Sequence, residues 1–113
     1  MLNVYQIILT DAEIKEVNEL GWEASEKSWV YSSRSFENDV VFFEDNFKHY
    51  KHVADVDSDD LEEAFHLMNM WSDPNRVKMI ADEVMSMSVG DIIKMDEDFY
   101  VCMSFGFEKM NIN

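Results

Sequence analysis

The segment SMSVGDIIKMDEDFYVCMSFGFEKM, residues 86–110, has the clearest β pattern in the sequence and decides the fold class. It predicts three short strands separated by two turns. Gly90 suits a turn that needs a positive φ, and the acidic run Asp96–Asp98 suits the turn of a hairpin. From Phe99 to Ser104, side chains alternate between the two faces of a strand. The segment therefore predicts an antiparallel hairpin unit.

Two interpretations of this segment are open. It is either a buried structural hairpin or a turn whose Ser86 and Ser88 form a ligand-binding loop. Gly106 lies inside an aromatic run, which predicts a β-bulge or a close approach of two backbones.

The same segment also carries a resemblance. SMSVGDII, followed by a hydrophobic strand and a Gly-Phe pair, resembles the C-terminal signature of YodL-like domains and small proteins of tailed phages, including those of cyanobacteria. The matching positions are Ser86, Ser88, Val89, Gly90, Asp91, Tyr100, Gly106 and Phe107. A weaker similarity runs upstream through Tyr5, Val17–Asn18, His49–Lys51, Val53–Ala54, Asp60–Leu61, Phe65 and Asn69. YodL-like domains are associated with polyvalent proteins of mobile elements, alongside anti-restriction modules, so the resemblance implies that setting without implying a particular activity.

Composition predicts one folded domain over residues 1–113. Hydrophobic residues make up 47% of the chain and aromatic residues 13%, which is typical of a globular protein rather than a disordered acidic tail. No apolar run approaches the ~20 residues of a membrane helix, and the N-terminus lacks the basic region of a secretory signal. The single cysteine, Cys102, excludes an internal disulfide and indicates a small core residue in a reducing cytoplasm.

The net charge of −15, from 24 acidic and nine basic residues, restricts the partners. Such a chain repels nucleic acids and anionic membranes, and it is attracted to basic surfaces. The basic residues are scattered singly, without a stripe that would neutralise phosphates. We therefore expect neither direct nucleic-acid binding nor membrane binding. Acidity that serves solubility alone is the competing explanation.

The N-terminal part predicts a strand and a helix. Asn3–Leu9 is rich in β-forming residues. Thr10 and Glu13 have the spacing of a capping box, and Gly21 suits the end of the helix that follows. The apolar stripe of this helix consists of Ile14, Val17 and Leu20.

The middle of the chain is less regular. Residues 22–38 fit either a helix, with Trp22 and Trp29 on one face, or a strand at WVYSS. The serines at positions 25, 28, 32, 33 and 35 favour an irregular segment instead. A helical period over Val40, Phe43, Phe47 and Tyr50 predicts a helix from Asp39 to Lys51, although VVFF alone would suit a strand.

The next predicted elements are a short strand, His52–Val56, and the clearest helix of the sequence. Asp59 and Glu62 have the spacing of a capping box for this helix, which Ser72–Asn75 ends. Its apolar stripe is Leu61, Ala64, Phe65, Met68 and Trp71, which leaves Glu62, Glu63, His66 and Asn69 to solvent. Arg76–Val84 is compatible with a short helix or a short strand.

An acidic cluster marks the start of that helix and is the candidate partner-binding surface. Its members are Asp55, Asp57, Asp59, Asp60, Glu62 and Glu63. Together with Glu13, Glu16 and Glu19, these carboxylates could imitate B-DNA, which carries about one negative charge per 1.7 Å of axis. The alternative is an ordinary solvated face.

Motifs for catalysis or cofactors are missing from the sequence. It has no glycine-rich phosphate loop, no nucleophile elbow and no cysteine pair for zinc, and DSDDLEE lacks the glycine of a calcium loop. His49-x-x-His52, near Glu44 and Asp45, is the one spacing that resembles a metal site. We expect neither a metal nor another cofactor.

These observations predict an α+β fold in which a small antiparallel sheet, including the C-terminal hairpin unit, carries two or three helices packed on one face. The leading functional hypothesis is a non-enzymatic, phage-type protein in the host cytoplasm that binds and inhibits or modulates a basic or nucleic-acid-binding host protein, with DNA mimicry as one mechanism. A structural or adaptor module, homodimeric or not, is the first alternative. An unrecognised metal-dependent hydrolase that uses His49 and His52 is the second.

Overall fold

A computed structural model of the chain describes residues 1–35, 37–70 and 73–112. Within these ranges the strands are β1 (Leu2–Gln6), β2 (Lys51–Val56), β3 (Val77–Met79), β4 (Ile92–Met95), β5 (Asp98–Met103) and β6 (Gly106–Lys109). The α-helices of the described ranges are α1 (Asp11–Leu20), α2 (Glu26–Ser33), α3 (Val40–Asp45) and α4 (Leu61–Met70). Short 3₁₀ turns cover Trp22–Ala24, Phe47–His49 and Pro74–Arg76.

The strands form one antiparallel sheet in the order β3-β2-β1-β4-β5-β6, so the predicted α+β fold is confirmed. The C-terminal hairpin unit is present as predicted, with β4 paired to β5 and β5 paired to β6. Gly90 has φ +94° in the turn before β4. The bulge predicted at Gly106 is absent, because the β5–β6 register is continuous. Gly106 instead takes φ +103° where the chain enters β6.

Helices cover both faces of the sheet, so the prediction that they pack on one face is wrong. On one face, Val4 and Ile93 pack with Leu67 and Met68 of α4. On the other face, Ile92, the neighbour of Ile93, packs with Val101 and with Phe43 of α3. Strands with apolar residues at successive positions must be covered on both sides.

The N-terminal helix has the predicted ends. Thr10 Oγ1 accepts a hydrogen bond from the Glu13 backbone N–H at 3.2 Å, and Glu13 Oε1 accepts one from the Thr10 N–H at 2.8 Å, which completes the capping box. Gly21, with φ +85°, follows the last residue. Strand β1, which precedes α1, was predicted to reach Leu9 but ends at Gln6. None of the α1 residues is buried, and its apolar stripe stays largely exposed.

The helix predicted from Asp39 to Lys51 is only partly correct. Asp39 caps α3, which ends at Asp45 because Asn46 leaves the helical conformation and donates its side-chain amide to the Phe42 carbonyl at 2.8 Å. A 3₁₀ turn follows, and Lys51 already belongs to β2. Residues 22–38, for which the sequence left the structure open, contain helix α2, and Ser25 caps it.

The predicted strand before α4 is confirmed, and of the two alternatives for residues 76–84 the structure has the short strand, β3. The capping box predicted for α4 is wrong. Asp60, one residue after Asp59, caps the helix, and its Oδ1 accepts from the Glu63 N–H at 3.0 Å. Asn69 is half-buried rather than exposed, and its amide bonds both backbone groups of Met87 at 2.6 and 3.1 Å. Trp71 and Ser72 lie outside the described residues.

Substitution of Gly90 tests the turn before β4. A Cβ at Gly90 would lie 3.1 Å from Phe43 Cε1 and 3.2 Å from Arg34 Cδ, whereas a Cβ at Gly21 would meet nothing within 4 Å. Both glycines have a positive φ, so both alanine variants carry backbone strain and only Gly90→Ala adds crowding. We expect Gly21→Ala to lower the free energy of unfolding by about 1 kcal/mol and Gly90→Ala by about 2–4 kcal/mol. Urea unfolding of both variants measures the difference, and equal losses would contradict the packing described here.

Candidate functional site

The six acidic residues of the predicted cluster do not share one surface. Asp55 lies in β2. Its neighbours Ala54 and Val56 pack in the core beneath α4, so the alternation of the strand directs Asp55 to the opposite face. Its Oδ1 accepts a hydrogen bond from Asn3 Nδ2 at 2.7 Å and lies 2.6 Å from His52 Nε2. Burial raises the pKa of Asp55, but these two partners outweigh burial and leave the pKa below its ordinary value. Asp55 therefore lies half-buried on the face of the sheet opposite α4.

Arg76 bonds Glu63 through its carboxylate and Asp57 through its backbone carbonyl, so the contact with Asp57 leaves the Asp57 carboxylate unused. Arg76 Nη2 lies 2.6 Å from Glu63 Oε1 and 2.7 Å from the Asp57 carbonyl oxygen. Hydrogen bonds from Ser58 and Arg76 lower the pKa of Glu63. These contacts connect the start of α4 to the 3₁₀ turn before β3, and they pair the Glu63 charge with Arg76 at the protein surface.

The other three carboxylates, Asp59, Asp60 and Glu62, line a groove of about 400 Å³ between the start of α4 and the hairpin β5–β6. The apolar side of this groove consists of Leu61, Met95 and Phe107. Among the described residues, none of these three carboxylates forms an ion pair. We call these six residues the acidic groove.

Phe105 is fully exposed at the tip of the β5–β6 hairpin. It lines a second hollow, of about 260 Å³, which shares Phe107 with the acidic groove. Burying a phenylalanine side chain stabilises a protein by roughly 1.5–3 kcal/mol, and Phe105 contributes none of this to folding. Phe105 thus extends the apolar part of the groove with a side chain that is free for contact.

Residues 88–91, which carry the family resemblance, surround a buried carboxylate. Asp91 accepts hydrogen bonds from Arg34 Nη1 at 3.1 Å, Gln6 Nε2 at 3.1 Å and the Ser88 N–H at 3.0 Å. We call Asp91 with these three donors the Asp91 centre. The Ser88 N–H thus has a structural role in the turn, as the hairpin interpretation requires, and the Ser86 and Ser88 side chains are exposed.

His49 and His52 contact different carboxylates. His49 Nε2 lies 3.3 Å from Glu26 Oε1, which is close enough for an ion pair but lacks hydrogen-bond geometry, and His52 contacts Asp55. Within residues 1–35, 37–70 and 73–112, no group of three or more His, Cys, Asp or Glu side chains is placed to hold a metal ion. Glu44, the nearby acid, accepts a hydrogen bond from the Asn111 N–H.

Cys102 is buried in β5, as its place in an alternating strand predicted. Burial raises the pKa of its thiol to about 11, and the charges of Asp91 and Glu62 add to this effect. A thiol with such a pKa is almost fully protonated at neutral pH and is a poor nucleophile.

No model of a known protein family matches this chain, and no curated protein or solved structure is detectably similar to it. The resemblance of residues 86–110 to YodL-like domains therefore stays a prediction. Within the described ranges, no helix has the length and apolar character that crossing a membrane requires.

Sequence reasoning found the three carboxylates of the acidic groove but missed its apolar part. Met95 and Phe107 of the groove, and Phe105 beside it, come from the hairpin unit, more than 30 residues after the acids. One signal was present in the sequence: Phe105 directly precedes Gly106 between two strands, and a large apolar side chain in a hairpin turn has no core to enter.

The pH dependence of stability tests the Asp91 centre. Burial raises the pKa of Asp91 from 3.8 to about 6, although Arg34, Ser88 and Gln6 oppose the shift. The folded protein thus holds the Asp91 proton more tightly than the unfolded chain does. The resulting stabilisation is complete below about pH 4 and is lost as the pH rises to about 6.

We therefore expect the stability advantage of the wild type over Asp91→Asn to shrink by on the order of 2–3 kcal/mol between about pH 4 and pH 7. Urea unfolding of both proteins across this range measures it, and subtraction removes the titration of the other acids. The ¹³C shift of the Asp91 carboxyl gives the same pKa without a substitution. An advantage that grows with pH would show that Arg34 outweighs burial.

Proposed function

We propose that this chain is a non-enzymatic protein-interaction module that binds a basic segment of another protein in the acidic groove. The observation that carries the proposal is the combination of carboxylates without cation partners among the described residues, an apolar floor and the exposed Phe105 beside them. Polar rims around an apolar centre are typical of protein interfaces.

The chemistry of the groove describes the partner. Asp59 and Glu62 suit Lys or Arg side chains, and the floor at Met95 and Phe107 suits one bulky apolar side chain. Phe105 can cover the partner or stack on an arginine, and exposed aromatic residues often dominate the binding energy of interfaces. The net charge of −15 would speed the encounter with a basic protein at low salt.

The groove favours peptide recognition over imitation of a DNA phosphate array. Asp55 is hydrogen-bonded to Asn3, Glu63 is paired with Arg76 at the surface, and Asp59, Asp60 and Glu62 flank an apolar floor that has no counterpart on a phosphate backbone. Binding in the groove is compatible with the phage-type hypothesis, in which the partner is a basic or nucleic-acid-binding host protein in the cytoplasm.

A random peptide library displayed on beads tests the proposal. The groove variant is Asp59→Asn with Glu62→Gln, and Asp60 is kept because it caps α4. The matched control is Glu16→Gln with Glu19→Gln, which also removes two negative charges, here from exposed positions on α1.

Peptides selected by the wild type should be enriched in Lys or Arg and contain a bulky apolar residue. The groove variant should bind them about 10–100-fold more weakly, and the control should bind within about threefold of the wild type. Selected peptides without an excess of Lys and Arg, or equal losses in both variants, would leave the acidity as a solubility trait and overturn the proposal.

Phe105→Ala separates binding from stability. The side chain is fully exposed, so the free energy of unfolding should change by no more than about 0.5 kcal/mol, while affinity for the selected peptides should fall about tenfold. The control is Met70→Ala, which removes another exposed apolar side chain at the far end of α4. If Phe105→Ala and Met70→Ala bind equally well, the hairpin tip takes no part in recognition.

A further inference from the structure

A second groove, of about 270 Å³, lies between α1, the 3₁₀ turn after it and the loop before β4. Its lining residues are Ile8, Leu9, Ile14, Trp22, Tyr31, Glu83 and Met85. We call it the Trp22 groove. Apart from Glu83, its lining consists of apolar and aromatic side chains.

The walls of this groove are hydrophobic residues that the rest of the chain leaves uncovered. Ile14 is 44% exposed, Trp22 45% and Met85 47%. Helix α1 has no buried residue, although its sequence has an apolar stripe. A helix in a soluble protein ordinarily buries such a stripe, and an exposed apolar patch often marks an interaction site.

Both walls are fixed by the Asp91 centre. On one side, the Trp22 ring stacks on Tyr31 with centroids 5.8 Å apart, and Arg34, the ion-pair partner of Asp91, lies 4.5 Å from the Tyr31 ring centroid. On the other side, Gln6 accepts from the Met85 N–H at 3.0 Å and donates to the Met85 carbonyl at 2.9 Å. The groove is therefore held in shape before any partner arrives, which lowers the entropy cost of binding.

One end of the Trp22 groove is acidic. An adjoining hollow of about 200 Å³ shares Ile8, Leu9 and Glu83 with it. That hollow adds Asp11 and Asp82, and Lys51 is the one cation among its described lining residues. Among the described residues, Asp11, Asp82 and Glu83 form no ion pair. Apolar contact at Trp22 and negative charge at Glu83 thus lie side by side.

These two properties select the occupant. A second copy of the chain would bring its own net charge of −15 to the same acidic end, and the repulsion would oppose association. We propose that the Trp22 groove binds an amphipathic segment of a partner protein, which places a bulky apolar side chain against Trp22 and Met85 and a Lys or Arg beside Asp82 and Glu83. This site is distinct from the acidic groove and does not depend on the function proposed for it.

The probe is a synthetic amphipathic peptide of Leu and Lys, roughly 14 residues long, which spans about 21 Å as a helix. One control peptide has Glu in place of Lys, and another has Ala in place of Leu. Each is titrated into the full ¹⁵N-labelled chain, and the shifts of the Trp22 indole N–H and of the backbone amides locate the binding site.

Two variants test the contacts. Trp22→Ala should weaken binding of the Leu-Lys peptide about tenfold or more, and Asp82→Asn with Glu83→Gln should weaken it about threefold to tenfold. The matched control is Trp29→Ala, because Trp29 is 47% exposed and lies outside the Trp22 groove. It should bind like the wild type, and both control peptides should bind weakly.

Four results would overturn this proposal. Shifts confined to Asp59, Glu62 and Phe105 would place the peptide in the acidic groove alone. Equal effects of Trp22→Ala and Trp29→Ala would show non-specific aromatic contact. Undiminished binding of the Glu-containing peptide would remove the role of charge. A dimer in sedimentation that Trp22→Ala dissociates would make a second copy the occupant.

Discussion

The buried carboxylate of Asp91 is the constraint on which the rest of the structure depends. Removing a charged carboxylate from water is costly unless donors replace the lost hydrogen bonds. Its donors come from separate parts of the chain: Arg34 lies 57 residues before it, and Gln6 lies 85 residues before it. The Tyr50 hydroxyl donates to the neighbouring Gly90 carbonyl, and burial raises the pKa of that hydroxyl, so it stays a donor. These bonds join β1, the end of α2, the start of β2 and the turn before β4 in one arrangement.

Both candidate binding surfaces are connected to that centre. The turn at Asp91 exchanges backbone hydrogen bonds with β5, from the Gly90 N–H to the Cys102 carbonyl and from the Cys102 N–H to the Asp91 carbonyl, each at 2.8 Å. Strand β5 in turn carries the hairpin with Phe105. The Trp22 groove is connected through two other contacts. Gln6 hydrogen-bonds to the backbone of Met85, and Arg34 packs on the Tyr31 ring, on which Trp22 stacks. Asp91 and Gly90 thus have structural roles in this turn, and the two proposed binding surfaces consist of other residues.

What the sequence predicts correctly is local. The Thr10 capping box, the positive φ of Gly90 and the hairpin around Asp96 each depend on a few adjacent residues. One error is also local: the cap of α4 is Asp60 rather than Asp59, because the Ser58 hydroxyl accepts from the Asp60 N–H and forms a turn before the helix. The position of Asp55 could have been predicted, because successive side chains of a strand point to opposite faces. Asp55 therefore lies on the other face of β2 from Ala54 and Val56. The Trp22 groove joins residues more than 60 positions apart, and no local pattern could have predicted it.

The structure also divides the acidic residues by what they already do. Asp91, Glu63 and Glu13 are each paired with an Arg or Lys side chain, and Asp55 is hydrogen-bonded to Asn3. The carboxylates of the two grooves form no ion pair among the described residues, so they repel one another and the rest of a chain with a net charge of −15. A bound cation relieves that repulsion only in the folded state, since the unfolded chain spreads its charges apart. A basic partner would therefore stabilise the fold by mass action, in addition to its direct contacts. Carboxylates that served solubility alone would not need apolar side chains beside them. Their position at the edges of two apolar grooves is therefore the physical argument for binding at these edges rather than elsewhere on the surface.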